Sequence, residues 1–392
     1  MNKTLSQMTP FLAMDMREKA RKLERKGEDV VHLEVGEPDF GVDPLIVEAI
    51  KRACDERRTH YTDNFGDPEL REAICRLYKR DYGVTITPDR VLVTGGTSPA
   101  LLLALQVLCD VGDEVLVSDP GYPCYRDFVL ACHANPITVP VSPANGFQYD
   151  PDALAQAVTP KTRALFLNSP SNPAGTVMDD ALFKALAFKF PGGDRDEPVI
   201  ISDEIYHGLV YDGETAHTIL EYTDNAFVVN GFSKRFAMTG LRLGYLIAPK
   251  RYLKALRILQ QNLFICASSI AQRAGLTALR LLLGEHKASD EFLRGQADIR
   301  REYDARRRFM LSHLKDLGFD VAVEPKGAFY VLADVRRYTN DSVQFAESLL
   351  ERAHVAVTPG TDFGSCGQGF LRFSYATGIP RIREAFNRMA EF

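Results

Sequence analysis

The sequence predicts an α/β fold, in which a mostly parallel seven-stranded sheet is sandwiched by helices and joined to a smaller α+β domain. Between positions 91 and 247, short apolar runs alternate with amphipathic stretches of helical period; the runs are VLVTG, EVLVSD, ITVPV, RALFLN, VIISD, FVVNGF and LGYLIA. This alternation is typical of parallel strands joined by helices. Beyond Pro249, longer helical periodicity takes over. The length of 392 residues also exceeds that of one typical domain.

Capping residues and periodicity predict where the other elements lie. Asp67-Pro68 and Ser98-Pro99 each offer an N-cap followed by proline, so we expect helices that begin near 68 and 99. Helical periodicity follows at 252–283, 291–317 and 342–352, and strand-like runs are VAVEP, AFYVLADV and VAVTP. The charge-dense run at 300–308 is expected to be a solvated helix face.

Composition and charge are those of an ordinary globular protein. Hydrophobic residues make up 45%, charged residues 25%, and the net charge is -5, so we expect neither disorder nor binding to nucleic acid or an anionic membrane. No run approaches the roughly 18 apolar residues that span a bilayer, and no signal-peptide core is found. The seven cysteines form no CxxC pair, which argues against metal sites and disulfides. A reducing cytoplasmic location is expected.

The segment NGFSKRFAMTGLRLGY, at 230–245, is the most informative part of the chain. Its single lysine, Lys234, follows the apolar run FVVNGFS, so it lies just beyond the carboxyl end of a predicted strand. Open α/β sheets place their chemistry at that edge. Most lone lysines are solvated surface charges, so a functional interpretation of Lys234 depends on its partners.

The first partners lie in VIISDEIYHGLVY, at 199–211. Asp203 ends a short apolar strand, and Tyr206 follows about one turn later. A strand-end aspartate is often only a helix cap. Together with Lys234, however, Asp203 supplies what pyridoxal phosphate chemistry requires, because that chemistry needs a carboxylate at the pyridine nitrogen and an amine that forms a Schiff base.

Further motifs extend this pattern over almost the whole chain. They are VGEPDF at 35–40, Tyr61, VTGGTSPA at 93–100, DPGYP at 119–123, NSPSNPAGT at 168–176 and LRFSYAT at 371–377. With the two segments above, their order and spacing resemble those of the class I/II pyridoxal-phosphate-dependent aminotransferases, which include the aspartate aminotransferases. The resemblance implies fold type I, pyridoxal 5′-phosphate as the cofactor and a homodimer.

The resemblance also implies roles at the reactive end of the cofactor. Lys234 would form the Schiff base and move a proton, and burial would lower its pKa. Asp203 would keep the pyridine nitrogen protonated, while Tyr206 and Asn172 would bond the 3′ oxygen. In isolation, Tyr206 would be read as a core aromatic and Asn172 as a turn residue. Tyr122 occupies a position where many relatives have a tryptophan over the ring, and this chain has no tryptophan.

A second set of residues suits the cofactor phosphate. Gly95, Gly96 and Thr97 precede a predicted helix, so their N–H groups and the helix dipole would attract a dianion. A glycine pair before a helix is otherwise often just a tight turn. Ser233 would add a hydroxyl group and Arg242 a planar charged fork.

Two positions complicate the phosphate site. Gly231 occupies a position where many relatives carry a phosphate-binding serine. Tyr61 resembles the tyrosine that reaches the phosphate of the neighbouring subunit, which implies a homodimer with shared sites. Its alternative is a surface or interface aromatic with no catalytic task.

Substrate binding is expected from Arg372, Gly36 and Asn172. A strand-borne guanidinium can bond both oxygens of an α-carboxylate, although a solvated strand arginine is the alternative for Arg372. Gly36 resembles backbone that closes over the same carboxylate and expels water. The sequence assigns no distal arginine for a dicarboxylate. The variable side of the pocket is expected near Phe11, Leu12, Thr97 and 261–264.

The chain is therefore expected to have three parts. An N-terminal arm that joins the small domain covers 1–44, the large cofactor-binding domain covers 45–285, and the C-terminal small domain covers 286–392.

The expected activity is amino-group transfer between an L-amino acid and a 2-oxo acid by a ping-pong mechanism. Aspartate, alanine or an aromatic amino acid would be the donor, and 2-oxoglutarate the acceptor. An alternative is a C–S β-lyase on the same scaffold, since a carbanion at Cα can also expel a β-substituent. A ligand-sensing regulator is a further alternative, against which the complete set of Lys234, Asp203 and Arg372 argues.

Overall fold

The computed structural model describes residues 4–193 and 197–392, so the first three residues of the predicted N-terminal arm lie outside it. Its strands are β1 (Val31–His32), β2 (Val91–Thr94), β3 (Glu114–Asp119), β4 (Asn135–Pro140), β5 (Thr162–Asn168), β6 (Val199–Asp203), β7 (Phe227–Gly231), β8 (Gly244–Ile247), β9 (Tyr330–Asp334), β10 (Val355–Ala356), β11 (Thr358–Pro359) and β12 (Phe370–Ser374). Its α-helices are α1 (Leu12–Glu24), α2 (Pro44–Asp55), α3 (Pro68–Tyr82), α4 (Thr97–Leu108), α5 (Cys124–Ala131), α6 (Pro151–Gln156), α7 (Asp180–Lys189), α8 (Leu253–Leu263), α9 (Ser269–Leu282), α10 (Ser289–Asp316), α11 (Ser342–Ala353) and α12 (Ile379–Glu391).

Seven strands form the central sheet, in the order β2-β8-β7-β6-β5-β3-β4. The pairs from β4 through β7 are parallel, and β8 runs antiparallel to both of its neighbours. The predicted mostly parallel seven-stranded sheet is therefore confirmed. Asn168 pairs with Asp203, and Asp203 pairs with Val229, so the carboxyl ends of β5, β6 and β7 lie side by side.

Both faces of this sheet are covered. Consecutive residues of the central strands, at 165/166, 200/201 and 228/229, pack alternately into two hydrophobic cores. Strands buried on both faces are typical of parallel sheets and explain the continuous apolar runs in the sequence. Helix α4 packs on β7 and β8, and α2 and α3 pack on α9. Within the described chain, no helix is both long enough and apolar enough to cross a membrane.

A smaller unit combines the two ends of the chain. Strand β1 pairs with β10 in parallel, and β11, β12 and β9 form an antiparallel sheet. Met16 of α1 shares a hydrophobic core with Met310 of α10, Leu350 of α11 and Phe386 of α12. The domain boundaries near 45 and 285 stay a prediction.

The predicted helix starts differ in their outcomes. Helix α3 begins at Pro68, and the Asp67 carboxylate accepts a hydrogen bond from the Glu69 N–H at 2.9 Å, as an N-cap should. Helix α4 begins at Thr97 with Gly96 as its N-cap, so the prediction that Ser98 caps it was wrong. Gly96 makes the turn with a φ of 105°, which leaves the first N–H groups of α4 without a side-chain cap.

Two other predictions need correction. The helical run at 252–283 is two helices, α8 and α9, because the backbone turns at Ile265, whose φ is 65°. The strand predicted for VAVEP was wrong. This segment leaves the sheet after an isolated bridge at Asp320, and the N–H groups of Lys326 and Gly327 bond the Gly175 carbonyl instead.

The predicted solvated face at 300–308 was also wrong in part, since Arg306 and Arg307 are buried. Arg307 donates to Asp304 at 2.8 Å, to Asp212 at 2.7 Å and to the Pro325 carbonyl at 2.7 Å. A buried guanidinium is tolerated here because its donors are satisfied.

Candidate active site

A cavity of about 520 Å³ opens at the carboxyl ends of β5, β6 and β7, between the large sheet and the smaller unit. This is the edge at which open α/β sheets bind ligands. Most of the predicted site residues line it: Gly36, Thr97, Tyr122, Asn172, Asp203, Tyr206, Ser233, Lys234, Arg242 and Arg372.

Lys234 lies just beyond β7 and reaches into this cavity. Its Nζ donates to the Gly36 carbonyl at 2.5 Å and lies 5.9 Å from the ring centroids of Tyr206 and Phe329. Burial lowers the pKa of Lys234 to about 8. The amine is therefore partly unprotonated near neutral pH, as a nucleophile or general base requires.

Asp203 is a buried carboxylate at the end of β6. It accepts hydrogen bonds from the Tyr125 hydroxyl at 2.8 Å and from the Ile205 N–H at 3.2 Å. Tyr125 stacks on Phe166 with ring centroids 4.4 Å apart, which fixes the position of its hydroxyl. Burial raises the pKa of Asp203 to about 6, so a cationic partner in the cavity would stabilise the ionised form.

Arg372 lies on β12 and is 2% exposed. Its guanidinium is packed between the rings of Tyr330 and Phe363, at 4.4 and 4.9 Å from their centroids. It donates to Asn172 Oδ1 at 3.0 Å, to Thr358 Oγ1 at 3.1 Å and to the Glu34 carbonyl, while its Nε has no hydrogen-bond partner among the described residues. A buried cation with an unsatisfied donor favours an anionic ligand.

Tyr206 and Asn172 belong to the same network. The Tyr206 and Tyr330 hydroxyls are 2.7 Å apart. The Asn172 N–H donates to Asn168 Oδ1 at 2.8 Å, and this bond fixes the Asn172 backbone at the edge of the cavity. The carboxylate-binding candidate and the predicted ring-binding residues are thus held by shared partners.

An anion cradle lies at the start of α4. Thr97 lines the cavity with Ser233 and the exposed guanidinium of Arg242. Gly96 has a φ of 105°, which favours glycine, and a Cβ there would lie 2.6 Å from Arg242 Nη2. Uncapped N–H groups, a hydroxyl and a guanidinium form a donor set that suits a phosphate.

The presence of glycine at position 231 has a local physical reason. A Cβ there would lie 3.0 Å from the Leu243 carbonyl and 3.1 Å from Gly244 Cα. A serine at this position would crowd the neighbouring strand β8. The cradle therefore relies on Ser233 for a hydroxyl beside β7.

Some predicted residues do not reach this cavity. Tyr61 is 78% exposed. Gly95 and Gly96 precede Thr97 in the chain and are not among the lining residues. Phe11 and Thr97 do line the cavity, whereas Leu12 and the exposed stretch 261–264 do not.

Sequence reasoning did not single out several lining residues. Tyr125, Tyr330 and Asn168 hold predicted site residues in place. Tyr125 could have been found from the second tyrosine in DPGYPCY, and Asn168 from the strand-end position that it shares with Asp203. Arg17 also lines the cavity, and no motif around it marks it.

The turn at 203–207 has a second face that points away from the cavity. We call Asp203 and Tyr206 the cavity face, and Glu204 and His207 the core face. Glu204 is fully buried and accepts four hydrogen bonds, from Ser202 Oγ at 3.0 Å, Thr218 Oγ1 at 2.8 Å, the Ile219 N–H at 3.2 Å and Tyr78 Oη at 3.3 Å. Burial raises the pKa of Glu204 to about 8 and lowers that of His207 to about 3.

Known proteins resemble this chain over its full length. The family model described as aminotransferase class I and II matches residues 28–388. A (5-formylfuran-3-yl)methyl phosphate transaminase of Methanocaldococcus jannaschii is 40% identical over 395 residues, which cover 100% of this chain and 99% of the relative. An aspartate/prephenate aminotransferase of Thermus thermophilus is 38% identical over 391 residues, which cover 100% and 98%.

Solved structures agree with these sequence matches. The aspartate aminotransferase from Thermus thermophilus with maleate has a TM-score of 0.92 at 37% identity and covers 100% of this chain and 99% of that one. A Methanococcus jannaschii protein, described as similar in its active site to kynurenine aminotransferases, has a TM-score of 0.88 at 40% identity with the same coverage.

Proposed function

This chain belongs to the aminotransferase class I and II family and is an aminotransferase of fold type I, and we propose that it binds pyridoxal 5′-phosphate in the cavity described above. The amino group passes from an L-amino acid to a 2-oxo acid in two half-reactions. The observation that carries the proposal is the buried guanidinium of Arg372, whose Nε lacks a partner in the part of the chain that the structure describes. Arg372 and the amine of Lys234 both bond backbone carbonyls of the loop at 34–36.

The placement of Arg372 and Lys234 against the loop at 34–36 suits an α-amino acid. Arg372 donates to the carbonyl of Glu34, and Lys234 donates to the carbonyl of Gly36. An α-amino acid carries its carboxylate and its amine on one carbon, so a cation that binds the first would bring the second close to Lys234. Binding at both ends fixes the Cα–H against the amine.

The donor set of the cavity fits the proposed cofactor. The cradle of Thr97, Ser233 and Arg242 suits its phosphate, and Asp203 suits a protonated ring nitrogen. Pyridoxal phosphate, when bound, supplies an electrophilic aldehyde and a ring that withdraws electrons from the reacting carbon. Asn172 accepts from Arg372 through Oδ1, which leaves its Nδ2 as a donor for the ring oxygen, and Tyr206 contributes a hydroxyl beside it.

Lys234 is the proposed proton carrier at the substrate Cα. Its lowered pKa of about 8 keeps a useful fraction of the amine neutral. Asp203 would stabilise a protonated ring nitrogen by its own negative charge. Tyr122 lines the cavity and offers a ring face for stacking.

The amino donor is the least constrained part of the proposal. Relatives are named for aspartate, for aromatic amino acids and for valine with pyruvate. We propose aspartate, alanine or an aromatic amino acid as donor and 2-oxoglutarate as acceptor.

A homodimer is also part of the proposal. Tyr61 is exposed beside a group of exposed apolar side chains, Leu263, Phe264 and Ile265. The two segments are joined by a 2.7 Å hydrogen bond from Asn64 to the Ile265 carbonyl. An exposed apolar surface of this kind is typical of a contact with another subunit, and Tyr61 would then reach the neighbouring cavity.

The location proposed for the protein is the cytosol. All seven cysteines are free in the structure, which supports a reducing compartment.

The direct test of the activity is a half-reaction. Purified protein with pyridoxal phosphate is titrated with single amino acids while its visible absorption band is followed. Loss of the band with formation of pyridoxamine phosphate and a 2-oxo acid supports transamination. Release of pyruvate and sulfide from cysteine without pyridoxamine phosphate would instead identify a β-lyase.

The shared site has its own test. Differently tagged Tyr61→Ala and Lys234→Ala subunits are expressed together, and the hybrid dimer is isolated. If Tyr61 serves the neighbouring cavity, one complete site is restored in the hybrid. The matched control combines Asp203→Ala with Lys234→Ala, which restores none, because both residues serve the cavity of their own subunit. Equal inactivity of both hybrids would contradict a shared site.

A further inference from the structure

Helix α1 contributes one wall of the cavity, and four residues near its start line it: Phe11, Ala13, Met14 and Arg17. On the other side of the helix, Met16 and Ala20 are buried in the core of the smaller unit. The ring of Phe11 also meets the ring of Tyr122 edge-on, with the two centroids 6.3 Å apart. The position of the first turn of α1 therefore sets the room that a substrate side chain finds in the cavity.

This first turn has no N-cap of its own. Phe11 occupies the N-cap position and forms no side-chain cap hydrogen bond, although the first N–H groups of a helix have no intrahelical partners. The carboxylate of Asp362 bonds them instead. Its Oδ1 accepts from the Leu12 N–H at 2.8 Å and its Oδ2 from the Ala13 N–H at 3.2 Å. A residue from the far end of the chain thus caps α1.

Asp362 is itself held against the large sheet. It lies in a short 3-10 turn whose last residue is Phe363, and the Phe363 carbonyl accepts from the Gly121 N–H at 2.8 Å. Just beyond the turn, the Ser365 hydroxyl and N–H donate to buried Asp119 at the end of β3, at 2.8 and 3.1 Å. The cap of α1 is therefore anchored beside the loop that follows β3.

The same turn contacts the proposed carboxylate-binding residue, because the ring of Phe363 packs on the guanidinium of Arg372. Burial raises the pKa of Asp362 to about 6, and the positive charge of Arg372 acts in the opposite direction. Asp362 has two routes to the cavity, the backbone of α1 and the charge of Arg372. The geometry favours the first, since both carboxylate oxygens bond N–H groups of α1.

We infer that Asp362 is a positioning residue, which caps α1 and thereby holds Phe11 and Met14 against the side chain of a bound substrate. This inference rests on the proposed function, because it needs Arg372 to bind the substrate carboxylate. Without the cap, the first turn of α1 frays, and a large side chain can bind fully only to the fraction of molecules in which the turn is ordered. A substrate with a short side chain does not depend on this wall.

The test measures how two non-reactive acids bind the holoenzyme, so that binding is separated from turnover. Isothermal titration calorimetry gives the Kd of 3-phenylpropionate and of propionate, which share a carboxylate and differ by a phenyl ring. Asp362→Ala removes the cap, whereas Asp362→Asn keeps one acceptor oxygen and removes the charge. Phe11→Ala keeps the cap and removes part of the wall.

Asp341→Ala is the matched control for the loss of a helix cap in the same unit. Asp341 is exposed, caps α11 by accepting from the N–H groups of Val343 and Gln344 at 3.0 Å, and does not line the cavity.

Asp362→Ala is expected to weaken 3-phenylpropionate by about three- to thirtyfold, the range that the loss of an N-cap allows. Phe11→Ala should weaken it similarly, and Asp362→Asn should stay within about threefold of the wild type. Propionate should change by less than about twofold in every variant, and Asp341→Ala should change neither acid. Amide hydrogen exchange at 12–16 should be faster in Asp362→Ala than in the wild type.

Three results would overturn the inference. One is unchanged exchange at 12–16 together with unchanged affinity in Asp362→Ala or Phe11→Ala. Another is an equal loss for propionate in both Asp362 variants, which would mean that Asp362 acts through the charge of Arg372. The third is a wild type that binds 3-phenylpropionate no more tightly than propionate, because α1 would then not contact the side chain.

In each of these cases the wild type still converts amino acids, so the proposed function stands. A wild type that binds neither acid and converts no amino acid would remove both proposals together.

Discussion

The two faces of the turn at 203–207 differ in how completely their polar groups are satisfied. On the cavity face, Asp203 has two donors and lies beside space that a ligand can fill. On the core face, Glu204 is one residue further along the chain, has four donors and does not line this cavity. Both carboxylates are buried, so burial alone does not distinguish them.

The comparison separates residues that a ligand completes from residues that the fold completes. Buried polar groups cost free energy unless they are bonded, and the cavity leaves such a deficit at Arg372 Nε. The core face has one deficit, at His207 Nε2. Burial keeps that imidazole neutral by lowering its pKa to about 3, which makes the unpaired nitrogen less costly than an unpaired charge.

The largest effect is expected from Lys234→Ala. This change removes the reactive amine from the cavity that Asp203 and Tyr206 also line. Transamination should fall by at least ~10⁴-fold, because both the covalent bond to the cofactor and the proton transfer are lost. Half-reactions with aspartate and alanine measure the rate. Lys254→Ala, at an exposed lysine of α8, is the control, and an active Lys234→Ala enzyme would contradict the assigned chemistry.

Asp203→Asn and Glu204→Gln test the two faces directly. Loss of the Asp203 charge should lower the rate by about a hundred- to thousandfold, as removal of a preorganised electrostatic group does. Glu204→Gln keeps an acceptor for the surrounding donors and should stay within about tenfold of the wild type. The half-reaction rate is the measurement, with thermal unfolding as the check that both variants fold. Equal losses in rate would break the distinction between the faces.

Much of the fold could be predicted because its signals are local. Apolar runs that are buried on both faces, such as Val199–Asp203, identify the strands of a parallel sheet. Proline after an N-cap places the start of α3. The failures come from backbone conformations and contacts that the apolar pattern does not encode. The left-handed turn at Gly96 moves the start of α4, and the backbone bonds of 326–327 to Gly175 keep the preceding segment out of the small sheet.

The site was partly predictable for a different reason. Residues at strand ends or in dense motifs, such as Asp203, Lys234 and Asn172, carry recognisable neighbours in the sequence. Tyr330 carries none, because its importance comes from what lies beside it in space. Adjacent Asp203 and Glu204 also look alike in the sequence, since no local pattern tells which side of a strand end faces a cavity.

Glu204→Leu should act mainly on stability. It leaves four buried donors without their acceptor, so the free energy of unfolding should fall by about 2–4 kcal/mol. Urea unfolding of the holoenzyme measures this change. The Kd for pyridoxal phosphate should change little in the folded fraction. A stable variant with weakened cofactor binding would mean that the core face also serves the ligand.

The smallest effect concerns pH. Since burial raises the pKa of Glu204 from 4.5 to about 8, the native state keeps a proton that the unfolded chain has lost between these values. This contribution to stability is fully present below pH 4.5 and is lost as pH rises through 8. Asp203 acts in the same direction over a lower range, because its pKa is raised from 3.8 to about 6.

Glu204→Gln removes the higher of these two titrations and leaves that of Asp203. Between about pH 5.5 and 7.5 the wild type should therefore lose about 2–3 kcal/mol more stability than the variant does. Urea unfolding at the two pH values measures the difference, and Glu351→Gln, at an exposed position of α11, should behave as the wild type. Parallel pH curves for the wild type and Glu204→Gln would show that Glu204 stays ionised, because its four donors would then outweigh burial.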